Sequence, residues 1–255
     1  MDKLLFQGPV TSAPGFVVEH YETLDSTNTR AAQRATEGYG GNLWVRSDVQ
    51  EQGKARRGRS WTSEKGNLFA SVLLRFEAFD ENVIQMPFVA ALALAEAVEA
   101  ATGTLKLVEL KWPNDLLVDG AKISGILLES ATGTDGSLYV VCGFGVNCVH
   151  HPDLGLYKTT DLRSLGYGCE VDQVFTHLAS RLAYWLEQWR GTGGFELVRR
   201  EWLSRAVGRG KEIRVRLTHE EFKGTFVDID HLGRLIVKRE NGREQLVTAG
   251  DVFFS

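Results

Sequence analysis

The sequence predicts an α+β fold in two parts: a mixed, largely antiparallel sheet with helices over residues 16–207, and a small SH3-like β-barrel over residues 208–255. Three observations predict it. Strand-like runs in the first part are joined by tight turns, above all Asp119-Gly120, which implies antiparallel pairing rather than a doubly wound nucleotide fold. Between them, residues 83–102 carry Phe88, Leu92, Ala95 and Val98 at helical spacing. After Gly208-Arg209-Gly210 the texture changes to about five short strand-like pieces separated by turns such as Asn241-Gly242.

Taken in order, residues 1–15 hold Gly8, Pro9, Pro14 and Gly15, and are expected to be a flexible segment. Within them Leu5-Phe6-Gln7-Gly8-Pro9 resembles the cleavage sequence of a picornaviral protease. Residues 16–21 read as a strand. Ser26-Thr27-Asn28 supplies helix-start chemistry before the Ala31–Ala35 run, which stops near Gly38. Strands follow at 43–49 and 68–76, then the 83–102 helix ending at Gly103. Extended pieces at 107–112 and 116–118 lead through the Asp119-Gly120 turn to 121–128, and an apolar strand covers 138–146. Residues 172–190 and 195–206 read as helices with Trp185, Trp189 and Trp202 packed inward. The last five strands fall at 212–217, 224–228, 235–238, 245–247 and 252–254.

Composition excludes several classes. With 29 Lys+Arg against 33 Asp+Glu the net charge is -4, whereas a general nucleic-acid coat protein would be basic. No run approaches ~20 consecutive apolar residues, so no membrane span is expected. Cys142, Cys148 and Cys169 show no C-x-x-C spacing and read as reduced thiols in a cytoplasmic protein; His150-His151 lacks metal-ligand spacing, so no metal site is expected. Nothing ahead of residue 16 is long enough for a helix-turn-helix, and no DNA binding is expected.

Three motifs could carry chemistry. Gly53-Lys54-Ala55-Arg56-Arg57-Gly58-Arg59-Ser60-Trp61 has the outline of a phosphate-cradling Walker loop, but it lacks the lysine and no helix follows. What remains is a run, Gln50 to Gly66, with five cations and two anions in an acidic protein, suited to gripping carboxylate or phosphate, or else a solvated basic loop or a nucleic-acid patch. The second motif is Lys111-Trp112-Pro113-Asn114-Asp115, whose proline implies a bulge or edge that aims side chains. Beyond it, Lys122 is a lone cation in an apolar strand. It requires a partner: Asp115 or Glu129 structurally, or a ligand phosphate. The third, Gly143-Phe144-Gly145-Val146-Asn147, lacks the third glycine of a dinucleotide fingerprint; its glycines imply close approach of something flat, either a ligand or another backbone.

These motifs in this order, with Ser26-Thr27-Asn28 ahead and a small β domain behind, resemble the biotin–protein ligases over essentially everything from residue 16 onward. The resemblance implies a catalytic domain related to class II aminoacyl-tRNA synthetases. It also implies a two-step reaction: biotin and MgATP give biotinyl-5′-AMP and pyrophosphate, and the adenylate then acylates a lysine of a biotin carboxyl carrier protein. It places Ser26, Thr27, Asn28, Gln50, Gly53, Lys54, Ala55, Gly125, Leu127, Gly143 and Gly145 around biotin. Arg59, Trp61, Asn114 and Asn147 are placed toward ATP, with Arg56 and Lys122 toward both. Lys122 bridges carboxylate and α-phosphate, Arg56 shields the adenylate, and Asp115 positions the acceptor lysine. ATP, its Mg2+ and biotin are substrates, with no tightly bound cofactor. Relatives dimerise through sheet edges, which leaves a homodimer open.

One departure stands out. The family loop usually reads Gly-Arg-Gly-Arg, but here Lys54 lacks the bidentate fork and Ala55 is expected to restrict the backbone. Two rival readings remain: a lipoate or octanoate transferase on the same scaffold, and a biotin-sensing module without catalysis. The Trp-Pro-Asn-Asp run argues against the first, and the retained Arg56 and Lys122 against the second.

Overall fold

In the computed structural model, residues 2–254 are described, apart from 77–79, 134, 154 and 156. Eight strands form the main sheet: β1 (Leu4–Pro9), β2 (Val17–Leu24), β3 (Leu43–Gln50), β4 (Leu68–Phe76), β5 (Glu109–Lys111), β6 (Asp115–Val118), β7 (Ala121–Thr132) and β8 (Leu138–Val146). Their order is β1-β2-β3-β4-β8-β7-β6-β5. Only β2 and β3 pair in parallel, because helix α1 (Thr27–Thr36) crosses between them; the other neighbours are antiparallel. The Asp119-Gly120 turn joins β6 to β7 with both residues at positive φ, 49° and 73°, which explains the Asp-Gly pair there.

The strand period of two divides the core between the two faces. Val45, Leu73 and Val141 face Ala31 and Ala35 of α1. Trp44, Val72, Leu74, Val140 and Cys142 face the other way, into the larger core built with α2 (Met86–Thr102), α3 (Val171–Arg190) and α4 (Gly194–Ser204). Helix α2 is buried nearly all round and ends on Gly103 in the left-handed conformation. The run Glu81–Thr102 is in fact long and apolar enough to cross a bilayer, but most of it is buried inside the fold. Its two interior glutamates are satisfied by the protein: Glu96 by Arg181 and the Trp185 indole, and Glu99 by Arg205 and the Val108 N–H. Those internal partners mark a core helix.

The expectation of a flexible segment over residues 1–15 is corrected. Leu4–Pro9 pairs with β2, Phe6 opposite His20 and Pro9 opposite Val17, while Val10 and Ala13 are buried. Gly8 and Pro9 suggest a loop. At the end of an edge strand, however, proline's missing N–H removes no ladder bond.

The last five strands, β9 (Glu212–Arg216), β10 (Glu221–Ile229), β11 (Leu235–Lys238), β12 (Glu244–Val247) and β13 (Asp251–Phe254), form a separate antiparallel sheet in the order β12-β11-β10-β9-β13. This is the expected SH3-like unit, with β12 and β13 left unpaired to each other among the described residues. Three contacts dock it on the catalytic part. The Trp112 indole donates to Gly233 O at 3.1 Å, Gln85 donates to His231 O at 3.0 Å, and Arg199 holds Ile229 O and Asp228.

Candidate active site

A cleft of about 770 Å3 opens on the α1 face of the main sheet and runs to the C-terminal sheet. It forms where the apolar pattern on that face gives way. Beyond Leu73 and Val141 the same-facing positions include Ser71, Gly143, Gly145 and Gly125, which thin the side chains there, although Phe69 and Leu127 share the face. A Cβ on Gly143 would collide with Asn28 Oδ1, and one on Gly145 would come within 2.6 Å of the Trp61 indole. The flat object inferred from those glycines is thus, in this structure, Asn28 at one and Trp61 at the other.

At the buried end, the N-terminus of α1 supplies Ser26, Thr27 and Asn28, all almost fully buried. Gln50 Oε1 accepts from the Thr27 N–H at 2.9 Å and lies 3.1 Å from the Thr27 hydroxyl, while Gln50 Nε2 donates to Ser63 at 2.9 Å. Ser71 Oγ lies 2.7 Å from Thr27 Oγ1 and 2.6 Å from Asn28 Oδ1. Asn28 Nδ2 donates to Glu129 at 2.7 Å. Polar groups removed from water here satisfy one another, which fixes their directions.

The other end is charged. Arg56 donates to Asn114 Oδ1 at 2.9 Å and reaches Gly250 O at 3.5 Å, and burial pulls its guanidinium below the ordinary arginine value. Arg57 and Arg59 share Asp251 of β13, at 2.5 and 3.6 Å. Lys122 pairs with Asp115 at 2.6 Å, and its ammonium lies 5.6 Å from the Trp61 ring and 5.4 Å from that of Tyr157. Of the two structural partners considered for Lys122, Asp115 takes the role and Glu129 turns to Asn28. Lys111, mostly desolvated and lowered by that burial, lies 5.7 Å from the Phe253 ring.

The loop departure resolves differently from expectation. Ala55 sits at φ -128°, ψ 173°, extended backbone that any residue adopts, so alanine imposes nothing there. The left-handed positions are Arg57 (φ 59°) and Gly58 (φ 69°). Lys54 lies 3.8 Å from Glu129 Oε1, a half-exposed pair.

All but two of the candidate site residues line the cleft: Ser26, Thr27, Asn28, Gln50, Lys54, Ala55, Arg56, Arg59, Trp61, Asn114, Asp115, Lys122, Gly125, Leu127, Gly143 and Gly145. Gly53 and Asn147 stand behind the wall. Gly53 O accepts from the Trp61 N–H at 2.8 Å, and Asn147 Nδ2 donates to Thr160 O at 3.1 Å, leaving a buried Oδ1 without a partner. Sequence reasoning missed Ser71, Tyr157, Arg214, Arg216 and Asp251, and gave Lys111 only as the start of its motif, with no role of its own. Ser71 carried a signal, a lone hydroxyl inside an apolar strand; those from the C-terminal sheet arrive across the fold and carried none. Among the described residues no three His, Cys, Asp or Glu side chains gather into a metal cage.

Comparison with known proteins decides the family. A model described as the biotin/lipoate A/B protein ligase family matches residues 22–147, and one described as the biotin protein ligase C-terminal domain matches residues 209–255. A biotin–[acetyl-CoA-carboxylase] ligase of Paracoccus denitrificans is 37% identical, over 90% of this chain and 97% of that protein. The chain belongs to the biotin protein ligase family. A ligase of the same description from Mycobacterium tuberculosis is 30% identical, over 89% of this chain and 85% of that one. The Aquifex aeolicus biotin protein ligase, solved in complex with biotin and ATP, superposes with a TM-score of 0.79 at 25% identity, over 93% of this chain and 99% of that one.

Proposed function

We propose that this chain is a cytoplasmic biotin–protein ligase that joins biotin to ATP as biotinyl-5′-AMP and passes the biotinyl group to a lysine of a biotin carboxyl carrier protein. The observation that carries the reading is a single cleft holding Arg56 and Lys122 beside a neutral hydrogen-bond network of Thr27, Asn28, Gln50 and Ser71. Biotin's carboxylate is already ionised and needs no base. It attacks the α-phosphorus, a C–O–P linkage forms, and the bond to the β-phosphate oxygen breaks to release pyrophosphate.

The difficulty is bringing two anions together. Lys122 offsets their repulsion once it turns from Asp115, and Arg56 adds a guanidinium in a desolvated position where charge counts for more. Mg2+ travels with the nucleotide as part of that substrate. The loop and Trp61 cover the mixed anhydride and keep water from it. In the second step the acceptor amine attacks the anhydride carbonyl, AMP leaves and the amine loses its proton. Asp115, released by Lys122, is positioned to orient that amine.

Incubation with radiolabelled biotin, MgATP and apo carrier protein tests the reading: label is expected on the carrier lysine. Pyrophosphate release without transfer would overturn the second step, and biotin binding without pyrophosphate release would overturn the first.

A further inference from the structure

Glu129 takes no part in the chemistry above, yet its carboxylate touches the buried network. β7 places it two residues beyond Leu127 on the face covered by α1, opposite Val141. There Oε2 accepts from Asn28 Nδ2 at 2.7 Å. The other amino proton of Asn28 has Leu127 O at 3.5 Å, and Asn28 Oδ1 lies 2.6 Å from the Ser71 hydroxyl. A carboxylate accepts and cannot donate, so turning the amide over would set its carbonyl against Glu129. Glu129 therefore dictates which end of Asn28 points where. With both amino protons engaged, the second lone pair on Oδ1 is the capacity Asn28 has left. It meets a ligand as an acceptor.

We infer that Glu129 is a specificity-determining positioning residue. By holding Asn28 as an acceptor, it makes the buried end of the cleft select a ligand with an N–H donor, such as a cyclic urea, over one with oxygen or sulfur at that place. The inference rests on the proposed function. The Lys54 ammonium, 3.8 Å from Oε1, adds a second neighbour, but with the two side chains 44% and 41% exposed this is a weak tether, and the Asn28 contact carries the argument.

The half-exposed position allows substitution without opening the core. E129M removes the acceptor, and E129Q keeps an oxygen for Asn28 but adds an amide that can also donate, so it no longer forbids the turned-over Asn28. Titration calorimetry gives the biotin Kd, and steady-state rates give KM for biotin and ATP separately. Both are repeated with the two cyclic carbamates in which one ureido N–H is replaced by oxygen. In E129M the biotin Kd is expected to rise about tenfold, equivalent to ~1.4 kcal/mol. Discrimination against one carbamate falls with it, while KM for ATP and Tm hold; E129Q is expected between E129M and the parent, keeping biotin affinity better than discrimination. Unchanged biotin affinity and discrimination in E129M would overturn the inference. So would parallel loss of biotin and ATP with a lowered Tm, or an E129Q variant that discriminates as sharply as the parent. A parent protein that binds no biotin would overturn the proposed function instead.

Discussion

At the buried end of the cleft, Thr27, Asn28, Gln50 and Ser71 satisfy one another with neutral hydrogen bonds inside the main sheet. At the other end, Arg57, Arg59 and Lys122 are held by carboxylates, and one of those, Asp251, comes from a different sheet. The first arrangement is short-ranged and directional, with the Glu129 carboxylate on Asn28 its one charged contact. The second is long-ranged and reversible, and an anion of higher charge can displace Asp115 or Asp251. The difference separates recognition of a neutral ring, which needs fixed donors and acceptors, from handling of phosphates, which needs charge that can change partners.

The largest expected effect breaks the charged end alone. Lys122→Ala should lower adenylate formation by about 10²–10³-fold, the usual consequence of removing one fixed charge from a reacting centre. Pyrophosphate release reads this, and biotin affinity without nucleotide should barely move; equal loss of both would dissolve the distinction between the ends. Next, Arg56→Gly should let adenylate escape, raising labelling of bystander lysines by about tenfold, the scale of one charge-assisted contact. No gain in such labelling, followed by mass spectrometry, would remove Arg56 from retention.

Gly143→Ala strikes the neutral end. Its methyl meets the Asn28 carbonyl, and overpacking of about 1–3 kcal/mol predicts roughly 5- to 150-fold weaker biotin binding with KM for ATP preserved. Asp251→Asn releases Arg57 and Arg59 for phosphate. Because those pairs are partly exposed, worth about 0–1 kcal/mol, KM for ATP should fall by no more than about fivefold, and the gain should shrink in high salt.

The smallest effect is a control on both ends. The neighbouring Cys148 thiol lowers Cys169 to about 7, while Cys148 and the fully buried Cys142 are both pushed up. Lowering an acid's pKa places more of it in the thiolate form at a given pH, so Cys169 should alkylate first. Its rate should rise through pH 7 and level off above pH 8 as the thiolate fraction saturates. Peptide mapping checks the order, and neither substrate's KM should shift.

Much of this was legible from local pattern. The Asp119-Gly120 hairpin, the helix stop at Gly103 and the five short C-terminal strands follow from turn chemistry and periodicity. So do the loop cations and the paired glycines of β8, whose oddity in an apolar strand signals a missing side chain. The strand at Leu4–Pro9 did not follow, because pairing with β2 overrides what Gly8 and Pro9 suggest locally. Nor did Asp251 or Trp112's bond to Gly233, which join residues more than a hundred positions apart. The partner of Lys122 was narrowed to two carboxylates and settled by register: Asp115 lies opposite Gly125 and beside Lys122 at the hairpin, whereas Glu129 is four residues further along β7.

Helix α2 has a consequence for the life of the chain before it is finished. Sealed between the sheet and α3, the helix is harmless; emerging from a ribosome ahead of its partners, the run Glu81–Thr102 is greasy enough to mimic a bilayer-crossing segment. Arg181 and Arg205, which quiet its two glutamates, are synthesised some eighty residues or more later. Nascent chains stalled before them should therefore be the ones that chaperones hold longest.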